Sequence, residues 1–154
     1  MLTDQEKNEI EAELAQYGHK RAACIEALRI VQHHRGWVSD EALVDVAEAV
    51  DMTPAELDSV ATFYNLIYRK PVGKHVIHVC NSISCWIMEQ EVVFGHLRKR
   101  LDIDWGETTA DGSCTLLPIP CLGACDQAPA MLIDNELHGN LTPQKLDEIL
   151  EKLR

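Results

Sequence analysis

Apolar residues before position 71 recur every three or four positions, which is the spacing of amphipathic helices. Three of the four stripes follow an N-cap residue, and in two cases a glutamate three positions later completes a capping box, as in Thr53–Glu56. Gly18 and Gly36 are expected to end the first two helices, because glycine favours the conformation that stops a helix. The four predicted helices begin near Thr3, Arg21, Ser39 and Thr53.

The pattern changes at Pro71-Val72-Gly73, which breaks the helical spacing. The next apolar run, His75–Val79, has the length of a buried strand and leads directly into Cys80. The elements predicted after it are a helix over residues 86–101, strands over 115–117 and 131–133, and a last helix that Thr142 and Pro143 begin.

This change of pattern predicts two domains and an α+β fold class. Residues 1–72 are expected to form a helical bundle. Residues 73–154 are expected to form a small α/β layer, because strands alternate with helices there. A chain of 154 residues, of which 46% are hydrophobic, is long enough for two small cores.

The charge balance narrows the choice of partners. Lys and Arg number 14 against 25 Asp and Glu, for a net charge of −11. Nucleic acid and anionic membranes would be repelled, so neither is expected as a partner. No apolar stretch approaches the length of a membrane span, and no signal peptide is visible, so insertion into a membrane is not expected.

Four of the six cysteines form two close pairs, and these are the main candidates for chemistry. Cys80 and Cys85 read C-x4-C, and Cys121 and Cys125 read C-x3-C. A reducing compartment favours metal ligation over disulfides, and thiolates select soft metals. Spacing alone leaves a structural zinc site and an iron–sulfur cluster about equally favoured.

The residues around the pairs favour a cluster slightly. Cys85 is expected near a helix start, where backbone N–H groups stabilise a thiolate. The small residues of Leu122-Gly123-Ala124 would let backbone amides approach a bulky anion. The simpler alternative is that Gly123 only makes a tight turn.

Together these motifs resemble a known family, the thioredoxin-like [2Fe-2S] subunits of the NADH-oxidising module of respiratory complex I. Related subunits occur in NAD-dependent hydrogenases and formate dehydrogenases. The resemblance spans nearly the whole chain. It rests on Gly36-Trp37-Val38, Val60-Ala61-Thr62-Phe63-Tyr64, Cys80-x4-Cys85, Asp111-Gly112, Cys121-Leu122-Gly123-Ala124-Cys125 and Ala128-Pro129.

The resemblance implies a thioredoxin-like second domain and an electron-transfer function without catalysis by this chain alone. It implies one [2Fe-2S] cluster, whose ligands map onto Cys80, Cys85, Cys121 and Cys125. FMN, NADH and a [4Fe-4S] cluster are then expected on a larger partner flavoprotein. The lack of a G-x-G-x-x-G fingerprint after a strand agrees with this.

The resemblance also implies a place in the cell and further partners. Other subunits of the peripheral arm of complex I would surround the chain. It would lie on the cytoplasmic side of a bacterial inner membrane, or in the mitochondrial matrix if a transit peptide has been removed. A zinc-stabilised binding module and an equivalent subunit of a hydrogenase or formate dehydrogenase are the alternatives.

Several other residues have simpler interpretations. Cys24 and Cys114 are expected to pack as small hydrophobic residues, although Cys114 stands where the family more often has an aromatic or aliphatic residue. Trp37 and the Phe63-Tyr64 pair are expected to anchor the core, or else to face the flavoprotein.

Overall fold

A computed structural model describes residues 1–153, which divide into a compact unit Met1–Pro71 and a second that begins at Val72. The predicted second domain ends on residue 154, which lies outside the described residues. Within the described residues, no helix has the length and apolar content that crossing a membrane requires.

The first unit is the predicted set of four helices. Their bounds are α1 Asp4–Leu14, α2 Cys24–Arg35, α3 Asp40–Ala49 and α4 Pro54–Phe63, with a 3-10 turn Lys20–Ala23 before α2. The capping boxes at Thr3 and Thr53 and the Ser39 cap are confirmed. These starts were predictable because each depends on residues only three positions apart.

The ends of α1 and α2 differ in how well the sequence predicted them. Gly36 has a φ of +82° and ends α2 as predicted. The prediction that Gly18 ends α1 was wrong, because α1 stops at Leu14 and the last turn tightens around Ala15. Nothing between Ala15 and Tyr17 signals that stop in the sequence.

The core of the first unit is formed by one apolar face from each helix. Leu28, Val46 and Leu57 are fully buried at its centre. The prediction that the aromatic pair at the end of α4 anchors this core was wrong, because Phe63 is 77% exposed and Tyr64 44%. Helix α4 ends at Phe63, so the helical spacing that predicted burial does not continue through this pair.

The second unit is a mixed four-stranded sheet with helices. Its elements are β1 His75–Cys80, α5 Ile83–Ile87, α6 Gln90–Leu101, β2 Cys114–Ile119, β3 Met131–Ile133, β4 Glu136–His138 and α7 Pro143–Lys152. The strand order is β2-β1-β3-β4. Strands β1 and β2 are parallel, whereas β3 is antiparallel to both β1 and β4.

Two features of this unit depart from the sequence prediction. The single helix expected over residues 86–101 is two helices, because Glu89 has a φ of +64° and interrupts the helical path. Strand β4 was not predicted, since it is only three residues long and its Glu136 and Leu137 are exposed. Strand β3 is equally short but was predictable, because all three of its residues are apolar.

The core of the second unit lies between the sheet and helices α6 and α7. Its fully buried members include Ile77 on β1, Leu97 on α6, Leu116 on β2 and Leu146 on α7. This packing fixes the central strand β1, and therefore fixes the point at which β1 ends in Cys80.

Candidate metal centre

The two cysteine pairs meet because their strands run in the same direction. Strands β1 and β2 pair in parallel with Cys80 opposite Ile119, so both chains leave the sheet at the same edge. The Asn81 N–H donates to the Ile119 carbonyl at 3.0 Å, which holds the two exits side by side. The loop from Cys80 and the loop containing Cys121 therefore begin as neighbours.

The first pair is buried, and both cysteines belong to the same cluster of buried residues. Cys80 is 3% exposed and Cys85, within the five-residue helix α5, is 2% exposed. Cys80, Cys85 and Ala130 belong to one small hydrophobic cluster of buried residues. Ala130 reaches the site because β3 starts beside the end of β1, where the Cys80 N–H donates to the Ala130 carbonyl at 3.1 Å.

Burial, and then the neighbouring Cys80 thiol, raise the pKa of Cys85 to about 11, and the charge of Cys125 acts in the same direction. Cys85 lies in the first turn of α5, as the sequence predicted, but the pKa of the metal-free thiol is raised because burial dominates. A helix of five residues provides few N–H groups, and desolvation outweighs them. Metal binding at this position must therefore displace a proton.

The second pair is exposed and lies on a glycine-containing turn. Cys121 and Cys125 both face solvent, and Gly123 between them has a φ of +73°. The Gly123 N–H donates to the Cys121 sulfur at 3.3 Å. A Cβ at Gly123 would meet nothing within 4 Å, so this position needs glycine for its backbone angle and not for space.

The structure brings the predicted residues together to different degrees. Cys80 and Cys85 share one cluster of buried residues with Ala124, which directly precedes Cys125. Cys121 lies on the same loop as Cys125. Among the described residues, no three His, Cys, Asp or Glu side chains surround one point closely enough to hold a single metal ion.

The donor set nevertheless fits a two-iron cluster. A [2Fe-2S] cluster takes four thiolates, two on each iron, and the site offers one close pair on each of two adjacent loops. The buried cysteines pack with small side chains of the second loop, Ala124, Ala128 and Ala130, beside Ile119. The Gly123 N–H already donates to the Cys121 sulfur, which is the kind of contact that tunes such a cluster.

The remaining cysteines lie elsewhere. Cys114 begins β2, so a strand of about 16 Å separates it from the edge at which Ile119 leads to Cys121. It is 4% exposed and packs in the core of the second unit, as expected of a small hydrophobic residue. Cys24 begins α2 and packs against the core of the first unit.

Comparison with known proteins shows the family of this chain. The family described as thioredoxin-like [2Fe-2S] ferredoxin matches residues 10–154. The chain belongs to this family. Its relatives include an NADH-quinone oxidoreductase subunit of Pseudomonas aeruginosa, 47% identical over 98% of this chain and 91% of the relative. The protein of the same name from Escherichia coli K12 is 45% identical over 99% of this chain and 92% of the relative.

This chain also resembles part of a solved hydrogenase structure. An NAD⁺-reducing [NiFe]-hydrogenase in the air-oxidised state matches with a TM-score of 0.72 and 26% identity. The match covers 85% of this chain and 22% of the hydrogenase chain. The likeness therefore concerns a part of a much larger chain.

Sequence reasoning missed one participant in the site of this ferredoxin, Ala130. Its carbonyl accepts a hydrogen bond from the Cys80 N–H, and Ala130 packs in one cluster with Cys80 and Cys85. No side chain marks this role, because any residue at the start of β3 would supply the same backbone groups. Only the antiparallel pairing of β3 with β1 indicates it.

Proposed function

We propose that this chain is the [2Fe-2S]-carrying subunit of an NADH-quinone oxidoreductase, with Cys80, Cys85, Cys121 and Cys125 as the cluster ligands. The observation that carries the proposal is the parallel β1–β2 pairing, which directs both cysteine pairs to one edge of the sheet. It is supported by 45–47% identity to subunits of such complexes over almost the whole chain.

When bound, a [2Fe-2S] cluster supplies reversible storage of one electron. The residues of this chain determine its surroundings. Buried Cys80 and Cys85 shield one side from water, whereas exposed Cys121 and Cys125 present the other side to a partner. Asp126, beside Cys125, adds a negative charge that disfavours an additional electron and lowers the reduction potential.

The electron donor is proposed to be the FMN of a larger flavoprotein subunit, which would also bind NADH and a [4Fe-4S] cluster. In this arrangement the chain catalyses nothing alone and exchanges single electrons with the flavin. We place it with other subunits in the peripheral arm of the complex, at the cytoplasmic side of a bacterial inner membrane, or in the mitochondrial matrix after removal of a transit peptide.

We further propose that the two compact units are separate domains, residues 1–72 and residues 73–154. Their hydrophobic clusters support this, because the cluster from Leu2 to Ile67 shares no residue with those of the second unit. Limited proteolysis should then cut first near Pro71-Gly73, and cleavage inside either unit at an equal rate would contradict the division.

The partner is proposed to dock on exposed side chains beside the cysteines, here called the α5 face: Ile83, Trp86, Ile87 and Met88. These are between 53% and 66% exposed although all four are apolar. Apolar groups clustered in this way on a surface mark interaction sites.

The flanking charges are acidic, at Glu89, Glu91 and Asp126, and residues 75–97 and 101–144 contain no Lys or Arg. A partner with an apolar centre and a basic rim would complement this face.

Replacing Ile87 with glutamate should weaken binding to the flavoprotein about tenfold or more, because a buried apolar contact becomes a desolvated charge. Ile87 is 66% exposed, so the fold of the isolated chain should not change. Binding would be measured by titration with purified flavoprotein, and the cluster by its absorbance.

Leu137→Glu is the matched control, since Leu137 is an exposed apolar residue on β4, outside the α5 face. It should bind the flavoprotein as the parent does. Equal weakening by both variants would show that added negative charge alone is responsible. No weakening by Ile87→Glu would remove the α5 face from the proposal.

Metal and sulfide analysis of anaerobically prepared protein tests the proposed function itself. About two irons and two acid-labile sulfides per chain are expected, with the electron paramagnetic resonance (EPR) signal of a [2Fe-2S] cluster after reduction. Colourless protein with stoichiometric zinc and no sulfide would instead establish the zinc-stabilised binding module.

A second candidate function is the equivalent subunit of an NAD⁺-reducing hydrogenase, and the structural likeness to such an enzyme favours it. Identity is 26% in that comparison against 47% for the Pseudomonas aeruginosa relative, which makes the quinone oxidoreductase the better supported assignment. Affinity purification of the native complex separates the two, because only the hydrogenase would bring a nickel-containing partner with it.

A further inference from the structure

A short segment after β4, Gly139–Leu141, lies against the loop that carries Cys125. The Asn140 N–H donates to the Gln127 carbonyl at 2.6 Å, and the Leu141 N–H donates to the Pro129 carbonyl at 3.1 Å. We call this segment the strap. It contacts the cysteine loop on both sides of Ala128, directly after the 3-10 turn that Cys125 begins.

The contact depends on the absence of a side chain at Gly139. A Cβ built there would lie 2.4 Å from the Cβ of Gln127 and 2.9 Å from its carbonyl oxygen. Real Cβ atoms do not approach other atoms this closely, so either the strap or the turn would have to move. Gly139 is buried, whereas Gln127 is exposed, so the turn has the freedom to move outward.

Movement of Gln127 would displace Cys125. The two residues are the ends of one three-residue turn, which is closed by the Gln127 N–H donating to the Ala124 carbonyl at 3.0 Å. The strap is fixed on its other side, where the Lys145 ammonium donates to the Gly139 carbonyl at 2.6 Å. The strap is therefore held in place, and the turn that contains Gln127 packs against it.

We propose that Gly139 is a positioning residue for Cys125, which lets the strap hold this thiol at its distance from Cys85. This inference rests on the proposed function, in which Cys125 is a cluster ligand. Residues that orient a metal ligand without touching the metal change affinity and electronic properties when they are altered.

The test uses three glycine-to-alanine variants of the full-length cluster-containing protein. Gly139→Ala should release the cluster to a chelator about tenfold faster than the parent and shift the EPR g-values of the reduced protein. Gly73→Ala is also crowded, since its Cβ would lie 2.9 Å from the Gly112 carbonyl oxygen, but Gly73 lies beside the start of β2, opposite the cysteine edge. Gly95→Ala meets nothing within 4 Å on helix α6.

Gly73→Ala should lower the melting temperature and leave the g-values unchanged, and Gly95→Ala should change neither. A Gln127→Gly substitution in the Gly139→Ala background removes the closest clash, so it should restore part of the parent signal. If Gly139→Ala alone does not fold, this double variant is used for the same measurements.

The outcomes separate this inference from the function on which it rests. Parent protein without iron and sulfide would overturn the proposed function and the inference together. A parent with a normal cluster, and a Gly139→Ala variant with the same g-values and the same rate of cluster loss, would overturn the inference alone. The inference would also fail if Gly73→Ala shifted the g-values as much as Gly139→Ala.

Discussion

Replacing Cys121 with alanine is expected to reduce the iron content of the purified protein by an order of magnitude or more. Changes outside the ligand shell already weaken metal binding about 10- to 100-fold, and loss of a ligand should exceed them. Cys121 is exposed, so its removal leaves no cavity and the polypeptide should keep its fold. Iron and sulfide analysis together with the EPR signal of the reduced protein measure the effect, and circular dichroism checks the fold.

Cys114→Ala is the matched control, with the opposite expectation. Cys114 is buried at the far end of β2, so this variant should lose about 1 kcal/mol of stability and keep its cluster. A Cys121→Ala protein with two irons and an unchanged spectrum would show that Cys121 is not a ligand. If Cys114→Ala also lost its cluster, the loss would reflect unfolding or an unrecognised ligand.

Replacing Glu6 with glutamine should lower the free energy of unfolding of the first unit by about 2–3 kcal/mol at pH 7. Glu6 is 1% exposed, and its two carboxylate oxygens each lie 2.6 Å from a nitrogen of Arg35. The Thr3 N–H donates to the same carboxylate at 2.7 Å, completing the capping box of α1. Hydrogen bonds from Arg35 and Thr3 hold the pKa of Glu6 at about 2, below its ordinary value of 4.5, although burial opposes them.

The direction of the pH dependence follows from that lowered pKa. The unfolded chain binds a proton at Glu6 near pH 4.5, whereas the folded protein binds it only near pH 2. The stabilisation is therefore complete above pH 4.5, and it is lost as the pH falls towards 2. Urea denaturation from pH 2 to pH 7 should show parent and Glu6→Gln converging at the acid end.

Glu56→Gln is the control for this second prediction, because Glu56 completes the capping box of α4 and pairs with Arg21 at 2.8 Å. Arg21 and Thr53 also hold the pKa of Glu56 at about 2, but its side chain is 45% exposed and water screens the pair. The Glu56→Gln change should be much smaller than the Glu6→Gln change. Equal changes would show that capping, and not burial of the ion pair, determines the effect.

The comparison of these two glutamates shows what can be predicted from neighbouring residues and what cannot. Both capping boxes were predictable from a threonine and a glutamate three positions apart. The sequence contained no sign that Glu6 would be buried against Arg35, which is 29 positions away. The two capping boxes are identical local motifs. The packing of α1 on α2 determines which of the two glutamates contributes more to the free energy of unfolding.

The features of the candidate site also divide into those that neighbouring residues predict and those that depend on tertiary packing. The sequence by itself determined the four thiols, their two close pairs, and the need for glycine between Cys121 and Cys125, since these depend on neighbouring residues. It also determined the starts of α1, α3, α4 and α7, for the same reason, whereas α2 begins at Cys24 and not near the predicted Arg21. It left zinc and iron–sulfur almost equally favoured on spacing, and only the family resemblance decided between them.

Only the tertiary structure decided the rest, because the rest depends on contacts between distant segments. The parallel pairing of β1 with β2 brings the two cysteine pairs to one edge, and burial of Cys85 raises its pKa where a helix start alone would lower it. The fit of Gly139 against Gln127 appears only when the chain after β4 folds back on the cysteine loop. Spacing along a chain carries no information about such distances, which are set by how the sheet and its connections pack.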